Sequence, residues 1–224
     1  MKGASVVIAG GGVVGASVAY HLAARGVRDV LVLDRGGVPG TGSTSKATGG
    51  FRAQYATAIN VRLSLLARAK LRSFADETGV DPGYRPAGYL WLAASDGELL
   101  ALRAAQRVQR AEGLVEAAEV GLDDIARINP EVSLDEVAGG FFCPTDGFVR
   151  PMRLLEGYLA AAERLGARVA WGVEVTGLVQ GDGGRIVAVE TSRGRLAAGA
   201  VVNATGAWAR ALRTRSGTDR RAFT

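Results

Sequence analysis

The apolar positions of this chain fall into short continuous runs and helical stripes, and their order predicts its elements. Residues 5–9 read SVVIA, a β-branched run that suits a strand buried on both faces of a parallel sheet. Val18, Ala19 and Leu22 then share one helical face, and Gly26 is a stop signal. Residues 30–33 make a second apolar strand, which ends at Asp34. Farther on, Val61, Leu65, Leu66, Ala69 and Phe74 recur at helical spacing and predict a helix over 60–78. A strand with a glycine bend is expected over 84–93, a helix over 95–112, and a short helix over 120–129 that halts before Pro130. Strands over 137–142 and 147–150 flank a Pro-Thr-Asp-Gly turn. After Pro151 the pattern predicts a helix over 152–165 and strands over 168–171, 173–179, 186–191 and 200–203. Gln180-Gly181-Asp182-Gly183-Gly184 is a hairpin signal between the middle two. No internal repeat or heptad pattern is visible.

The first strand, helix and second strand enclose Gly10-Gly11-Gly12-Val13-Val14-Gly15, which satisfies G-x-G-x-x-G. Gly10 permits a tight turn out of the strand, Gly12 lets backbone approach a pyrophosphate, and Gly15 lets the helix pack on the sheet. The helix N-terminus then presents N–H groups and a partial positive charge to the phosphates. Asp34 lies 19 positions beyond Gly15, where an acid is expected to bind a ribose. A glycine-rich turn that binds nothing would leave the acid at the strand end without a reason. The unit therefore predicts dinucleotide binding, and the carboxylate disfavours a 2′-phosphate, so FAD or NAD is expected over NADP. Residues 36–50, GGVPGTGSTSKATGG, form a long loop of small residues whose backbone donors could wrap an extended cofactor.

Composition narrows the classes. With 48% hydrophobic residues among 224, a sizeable core can be buried. No apolar run reaches the roughly 18–20 residues that span a bilayer, and the chain reads as soluble and cytoplasmic. Cys143 is the only cysteine and reads as a buried inert thiol, so neither an intrachain disulfide nor a metal site built on cysteines is expected. The single histidine, His21, reads as a helix-packing residue, and no metal ligand set is expected. The net charge of +5 is spread along helices, apart from Arg210, Arg213, Arg215, Arg220 and Arg221 near the end. Charge without stacking aromatics or a recognised nucleic-acid fold gives no nucleic-acid partner.

Residues 10–34, the Gly42-Ser43-Thr44-Ser45 stretch and Gly49-Gly50-Phe51-Arg52 resemble the amine- and amino-acid-oxidising flavoproteins. That family includes sarcosine oxidase, glycine oxidase, dimethylglycine dehydrogenase and the proline dehydrogenase β subunits. Val201-Val202-Asn203-Ala204-Thr205-Gly206-Ala207-Trp208 resembles the family's later strand-end motif, so the resemblance runs from residue 4 to about 212. It implies a Rossmann-type FAD-binding domain with an inserted α+β substrate domain: 1–83 and 151–212 for FAD, 84–150 for substrate, and a tail over 213–224. By position, Gly10, Gly12, Val13, Val14 and Gly15 would hold the pyrophosphate, and Asp34 and Arg35 the adenosine end. Gly42, Ser43, Thr44, Ser45, Ala47, Thr48, Gly49 and Gly50 would line the pyrophosphate, ribityl and flavin region. Val175 would meet adenine through its backbone, and Ala204, Thr205 and Gly206 would close over the cofactor. Some relatives attach FAD through a histidine in the loop after the ribose acid; Ser45 and Lys46 stand here, so non-covalent FAD is expected.

The implied activity is oxidation of the C–N bond of a small amino acid or secondary amine such as sarcosine, glycine or proline. Hydride transfer to the flavin would give an imine that water hydrolyses, with O₂ or a partner protein as electron acceptor. Arg52 is the candidate catalytic-site residue, a clamp for the substrate carboxylate, since guanidinium binds carboxylate bidentately; an exposed surface arginine is the plainer reading. Tyr55, Tyr89 and Trp91 could line the pocket, although such aromatics are more often core. Relatives continue well past the Ala-Thr-Gly motif, so the chain reads as C-terminally truncated. A fragment or subunit that needs a partner is therefore the second reading. An NAD-dependent dehydrogenase is third, disfavoured by the Ser/Thr/Gly loop and the late strand-end motif.

Overall fold

Short β-branched runs alternate with helices because each buried strand needs a covered face, and that alternation is what the chain adopts. A computed structural model describes residues 2–215, with side chains through residue 212. In chain order the elements begin with β1 (Ala4–Ala9), α1 (Val13–Ala24), β2 (Val30–Asp34), β3 (Gly50–Phe51) and α2 (Ala58–Thr78). There follow β4 (Tyr89–Ala93), α3 (Asp96–Ala111), β5 (Ala118–Val120), α4 (Leu122–Ile128), β6 (Gly139–Cys143) and β7 (Gly147–Phe148). The last part holds α5 (Pro151–Arg164), β8 (Arg168–Trp171), β9 (Val175–Gln180), β10 (Ile186–Thr191), β11 (Gly194–Asn203) and α6 (Ala209–Arg215). The expected tail over 213–224 is helical as far as Arg215; its remainder, with Arg220 and Arg221, lies outside the described residues.

The chain divides into two compact units. One holds the described residues up to Thr48, Ala75–Asp81 and the described residues from Pro151 on; the other holds Gly49–Phe74 and Pro82–Arg150. Residues 49–74, assigned from the sequence to the first part of the FAD-binding domain, are thus grouped with the second unit.

The first unit is a mixed α/β, Rossmann-type fold around a six-stranded sheet in the order β8-β2-β1-β11-β10-β9. The first four of these strands are parallel, and β10 and β9 join antiparallel. Period-two alternation sends neighbouring residues of β1 to opposite cores. Ile8, with Val30 and Val32 of β2, packs with Ala19 and Tyr20 of α1 and with Ala161 and Ala162 of α5. Val7, with Leu31 and Leu33, packs instead with Val173, Val189, Leu196 and Leu212. In register, Ala9 of β1 stands opposite Leu33 of β2 and Asn203 of β11. Three parallel strands therefore end together, the place where open α/β sheets bind ligands. His21 lies against two tyrosines, with ring centroids 4.9 Å from Tyr20 and 5.8 Å from Tyr158.

The second unit contains the antiparallel sheet β4-β6-β5 and the short pair β3-β7. Its cores gather Ala93, Leu99 and Phe141 in one cluster and Ala53, Val61, Leu114 and Cys143 in another. Ser95 caps α3 by accepting from the Glu98 N–H at 3.3 Å, while the Glu98 carboxylate accepts from Ala94 N–H at 2.7 Å. Burial pushes the Cys143 thiol up from its ordinary value, and its sulfur lies 3.3 Å from Thr145 Oγ1. Cys143 is accordingly expected to resist iodoacetamide in the native chain near neutral pH and to alkylate on unfolding, as read by intact mass. Rapid native labelling would show that the thiol is not buried.

Among the described residues, no helix is long and apolar enough to cross a membrane. Among the same residues, no group of three or more His, Cys, Asp or Glu side chains could hold a metal ion.

Candidate functional site

At the end of β1 the chain turns through Gly10, whose φ is +107°. A Cβ there would fall 2.3 Å from the Ala204 carbonyl oxygen, so β11's end is as close as backbone allows. A Cβ on Gly15 would fall 1.9 Å from the Gly10 carbonyl, which shows how tightly α1 sits on the turn. Gly12 differs: a Cβ there meets only Thr44 Oγ1, at 3.4 Å. Its missing side chain leaves room on the cavity side, where the helix begins. Val13 N–H donates to Thr44 Oγ1 at 3.1 Å, tying the Ser/Thr/Gly loop to the first turn of α1.

Asp34 ends β2 with both carboxylate oxygens engaged. Gly11 N–H donates to Oδ2 at 2.6 Å and Gly36 N–H donates to Oδ1 at 2.7 Å. The two backbone donors orient the carboxylate, and each oxygen keeps a further lone pair for a ligand hydroxyl.

These groups line a cavity of about 400 Å³ within the first unit. Of the residues expected at the cofactor, Gly10, Gly12, Val13, Val14, Asp34, Arg35, Gly42, Ser43, Thr44, Ala47, Val175, Ala204, Thr205 and Gly206 are on its wall. Gly15 acts beneath that wall, through helix packing. Ser45 turns back on its own loop, its hydroxyl donating to the Gly42 carbonyl at 3.4 Å, and neither it nor Thr48 lines the cavity. Gly49 and Gly50 belong to the second unit, where the Gly49 carbonyl accepts from Val149 N–H at 2.8 Å and Gly50 pairs with Phe148. The wall also includes Gly11, Thr41, Glu174, Trp208 and Leu212. None of these five stands out in the sequence as a cofactor contact. Gly11 and Thr41 lie inside motifs already noted, while Leu212 is on a helix that the pattern did not predict.

The second unit holds Arg52. Its guanidinium carbon lies 5.1 Å from the ring centre of Tyr55, 5.1 Å from that of Trp91 and 5.6 Å from that of Tyr89. Nη1 donates to the Tyr89 hydroxyl at 3.4 Å, and the buried Nε has no hydrogen-bond partner among the described residues. Among the described residues no acid forms an ion pair with Arg52. The segment after it is fixed by Asp146, a fully buried carboxylate on the β6–β7 turn. Ala53 N–H donates to Asp146 Oδ1 at 2.8 Å, and Gln54 Nε2 donates to Oδ2 at 3.3 Å and to the Tyr89 carbonyl at 2.9 Å.

A family model described as FAD dependent oxidoreductase matches residues 5–222. The chain belongs to that family. It is 32% identical over 209 residues to the mitochondrial dimethylglycine dehydrogenase of Homo sapiens, in a match that covers 92% of this chain and 24% of that protein. It is 32% identical over 220 residues to the glycine oxidase of Geobacillus kaustophilus, which covers 95% of this chain and 57% of that protein. The crystal structure of L-proline dehydrogenase from P. horikoshii superposes with a TM-score of 0.89 at 29% identity, over 96% of this chain and 56% of that one. The chain thus spans about a quarter of the length of the mitochondrial dimethylglycine dehydrogenase and a little over half of the glycine oxidase and of the proline dehydrogenase.

FAD is the family's cofactor, and the cavity suits it. A glycine-lined turn at a helix N-terminus meets a pyrophosphate, and an oriented carboxylate at the second strand's end meets a ribose.

Proposed function

We propose that this chain is part of an FAD-dependent oxidoreductase that oxidises the C–N bond of a small amino acid or secondary amine, of the sarcosine, glycine or proline kind, with FAD held non-covalently. The observation that carries the substrate class is Arg52. A buried guanidinium N–H without an acceptor is costly, and a carboxylate is the acceptor that fits it bidentately. Three rings around the charge lower the local dielectric, which strengthens a charge-assisted bond to that carboxylate. Two relatives, named sarcosine dehydrogenase and glycine oxidase, are 31% and 32% identical to the chain.

Bound FAD supplies the two-electron acceptor. The chain's own residues do the rest by placement: the α1 N-terminus and glycine turn take the diphosphate, Asp34 the ribose hydroxyls, and Arg52 the substrate carboxylate. Ala53 and Gln54, tied to Asp146, hold the backbone beside Arg52 still. The loop over 36–50 contains no histidine to form a bond with the flavin, which supports the non-covalent reading.

Arg52→Lys is expected to raise KM for sarcosine or proline about 10–100-fold, from the roughly 1.5–3 kcal/mol of a charged hydrogen bond, with FAD absorbance unchanged. An unchanged KM would remove Arg52 from substrate binding. A second reading, a flavin-binding subunit without turnover of its own, is favoured by one relative. The mouse protein named pyruvate dehydrogenase phosphatase regulatory subunit is 26% identical over 206 residues. A purified chain that holds FAD but turns over none of the three substrates would support it.

A further inference from the structure

Arg35 follows the ribose acid directly, and its guanidinium carbon lies 3.9 Å from the ring centre of Trp208. Both residues line the cavity. Trp208 ends a 3₁₀ turn, Gly206–Trp208, that is fixed to the end of β11. Thr205 donates through its N–H and its hydroxyl to Asn203 Oδ1, at 3.3 and 2.6 Å, and Asn203 Nδ2 donates to the Ala209 carbonyl at 3.0 Å. The turn is thus held from both sides by one asparagine.

The indole that this turn carries is 47% exposed and belongs to none of the hydrophobic clusters. An exposed cation–π contact is worth only about 0.5–1 kcal/mol. Ordering an arginine side chain costs up to ~2 kcal/mol. The contact therefore adds little to the stability of the fold. Its effect is to restrict where Arg35 can be before a ligand arrives, which lowers the ordering cost of binding. Arg35, Trp208 and Val175 line the same cavity as Asp34, so an adenosine whose ribose meets Asp34 would have the guanidinium within its surroundings.

We infer that Trp208 is a positioning residue that holds Arg35 as the outer wall of the cavity's adenosine end, so that capture of the cofactor depends on an aromatic ring at position 208. The inference rests on the FAD reading of the cavity. The test is calorimetric titration of the apo chain with FAD, ADP and FMN, the last lacking the adenosine half. Arg35→Ala is expected to weaken FAD and ADP about tenfold, and Trp208→Ala about two- to fivefold, as the modest contact allows, while both leave FMN unchanged. Trp208→Phe keeps a ring and should bind FAD as wild type does. The ligand-free melting temperatures should stay near the wild-type value, which a merely structural role would lower. A Trp208→Ala chain that melts early, while Arg35→Ala does not, would make the indole's role structural and overturn the inference. Wild-type affinity for FAD and ADP in either alanine variant would overturn the inference while leaving FAD binding intact. Equal weakening of FAD and FMN would also overturn it. A wild-type chain that binds neither FAD nor ADP would overturn the cofactor reading, and the inference with it.

Discussion

Gly12→Asp should abolish FAD binding while leaving the chain folded. Gly12 has an extended backbone with φ of −72°, which any residue adopts, and a Cβ meets only Thr44 Oγ1 at 3.4 Å. The new carboxylate would therefore stand in open space at the start of α1, in the proposed pyrophosphate site. Two like charges in that space repel, and the side chain also fills the room the diphosphate needs. A loss of at least about 100-fold in FAD affinity is expected, roughly the 3 kcal/mol that a displaced charged contact carries. Gly15→Ala is the contrasting case. Its Cβ would lie 1.9 Å from a backbone carbonyl, so α1 must move off the sheet. Overpacking of this kind costs about 1–3 kcal/mol, and both stability and FAD affinity should fall. Denaturant melts beside FAD titrations separate the two variants. Retained FAD binding in Gly12→Asp would mean that the pyrophosphate lies elsewhere.

Asp146→Ala should destabilise the second unit by about 1–3 kcal/mol, since it strips a buried backbone donor of its acceptor. The donor is Ala53 N–H, and Ala53 is itself fully buried. Gln54 keeps its bond to the Tyr89 carbonyl but loses the carboxylate. Urea unfolding reads the change directly, and a shift within about 0.3 kcal/mol would show that water replaces the carboxylate without cost. The same residue has a pH signature. Burial pushes its carboxyl above the ordinary 3.8, against the bonds from Ala53 and Gln54 that pull it down. The folded value therefore exceeds the unfolded one. Its contribution to stability is full below the unfolded value and is lost as pH rises through the folded value. Asp29, Glu112 and Glu119 shift the other way, each held down first by a hydrogen bond from Arg168, Arg62 or Arg103. Their contributions are present at neutral pH and fade as pH falls. Asp146→Asn should remove only the Asp146 part of the pH dependence.

The first unit was legible because its signals are local. β1, the glycine turn, α1 and Asp34 lie within one stretch of chain, and each choice of residue answers to a neighbour a few positions away. β8 and β10 fall where the pattern put them, over 168–171 and 186–191. β11 starts six residues earlier than expected, at Gly194. Its first half pairs antiparallel with β10 and keeps several residues exposed, so it reads as small and polar rather than as a buried run. β5 has three residues, two of them exposed, which is too little for any periodicity. In the site, Asp34 could be placed from its spacing, but its two backbone donors could not. The role of Asp146 was hidden for a plainer reason: a turn motif predicts an exposed aspartate, and its partner Ala53 is 93 positions away. Trp208 sat inside a motif that resembles the family's, yet nothing local says that its ring meets Arg35.

The most direct test of the account is an absorbance spectrum of the purified chain after incubation with FAD and removal of free ligand by gel filtration. Flavin bands that travel with the protein, and that are missing from Gly12→Asp, are the predicted result. A colourless protein that leaves FAD in the included volume but retains NAD would contradict it.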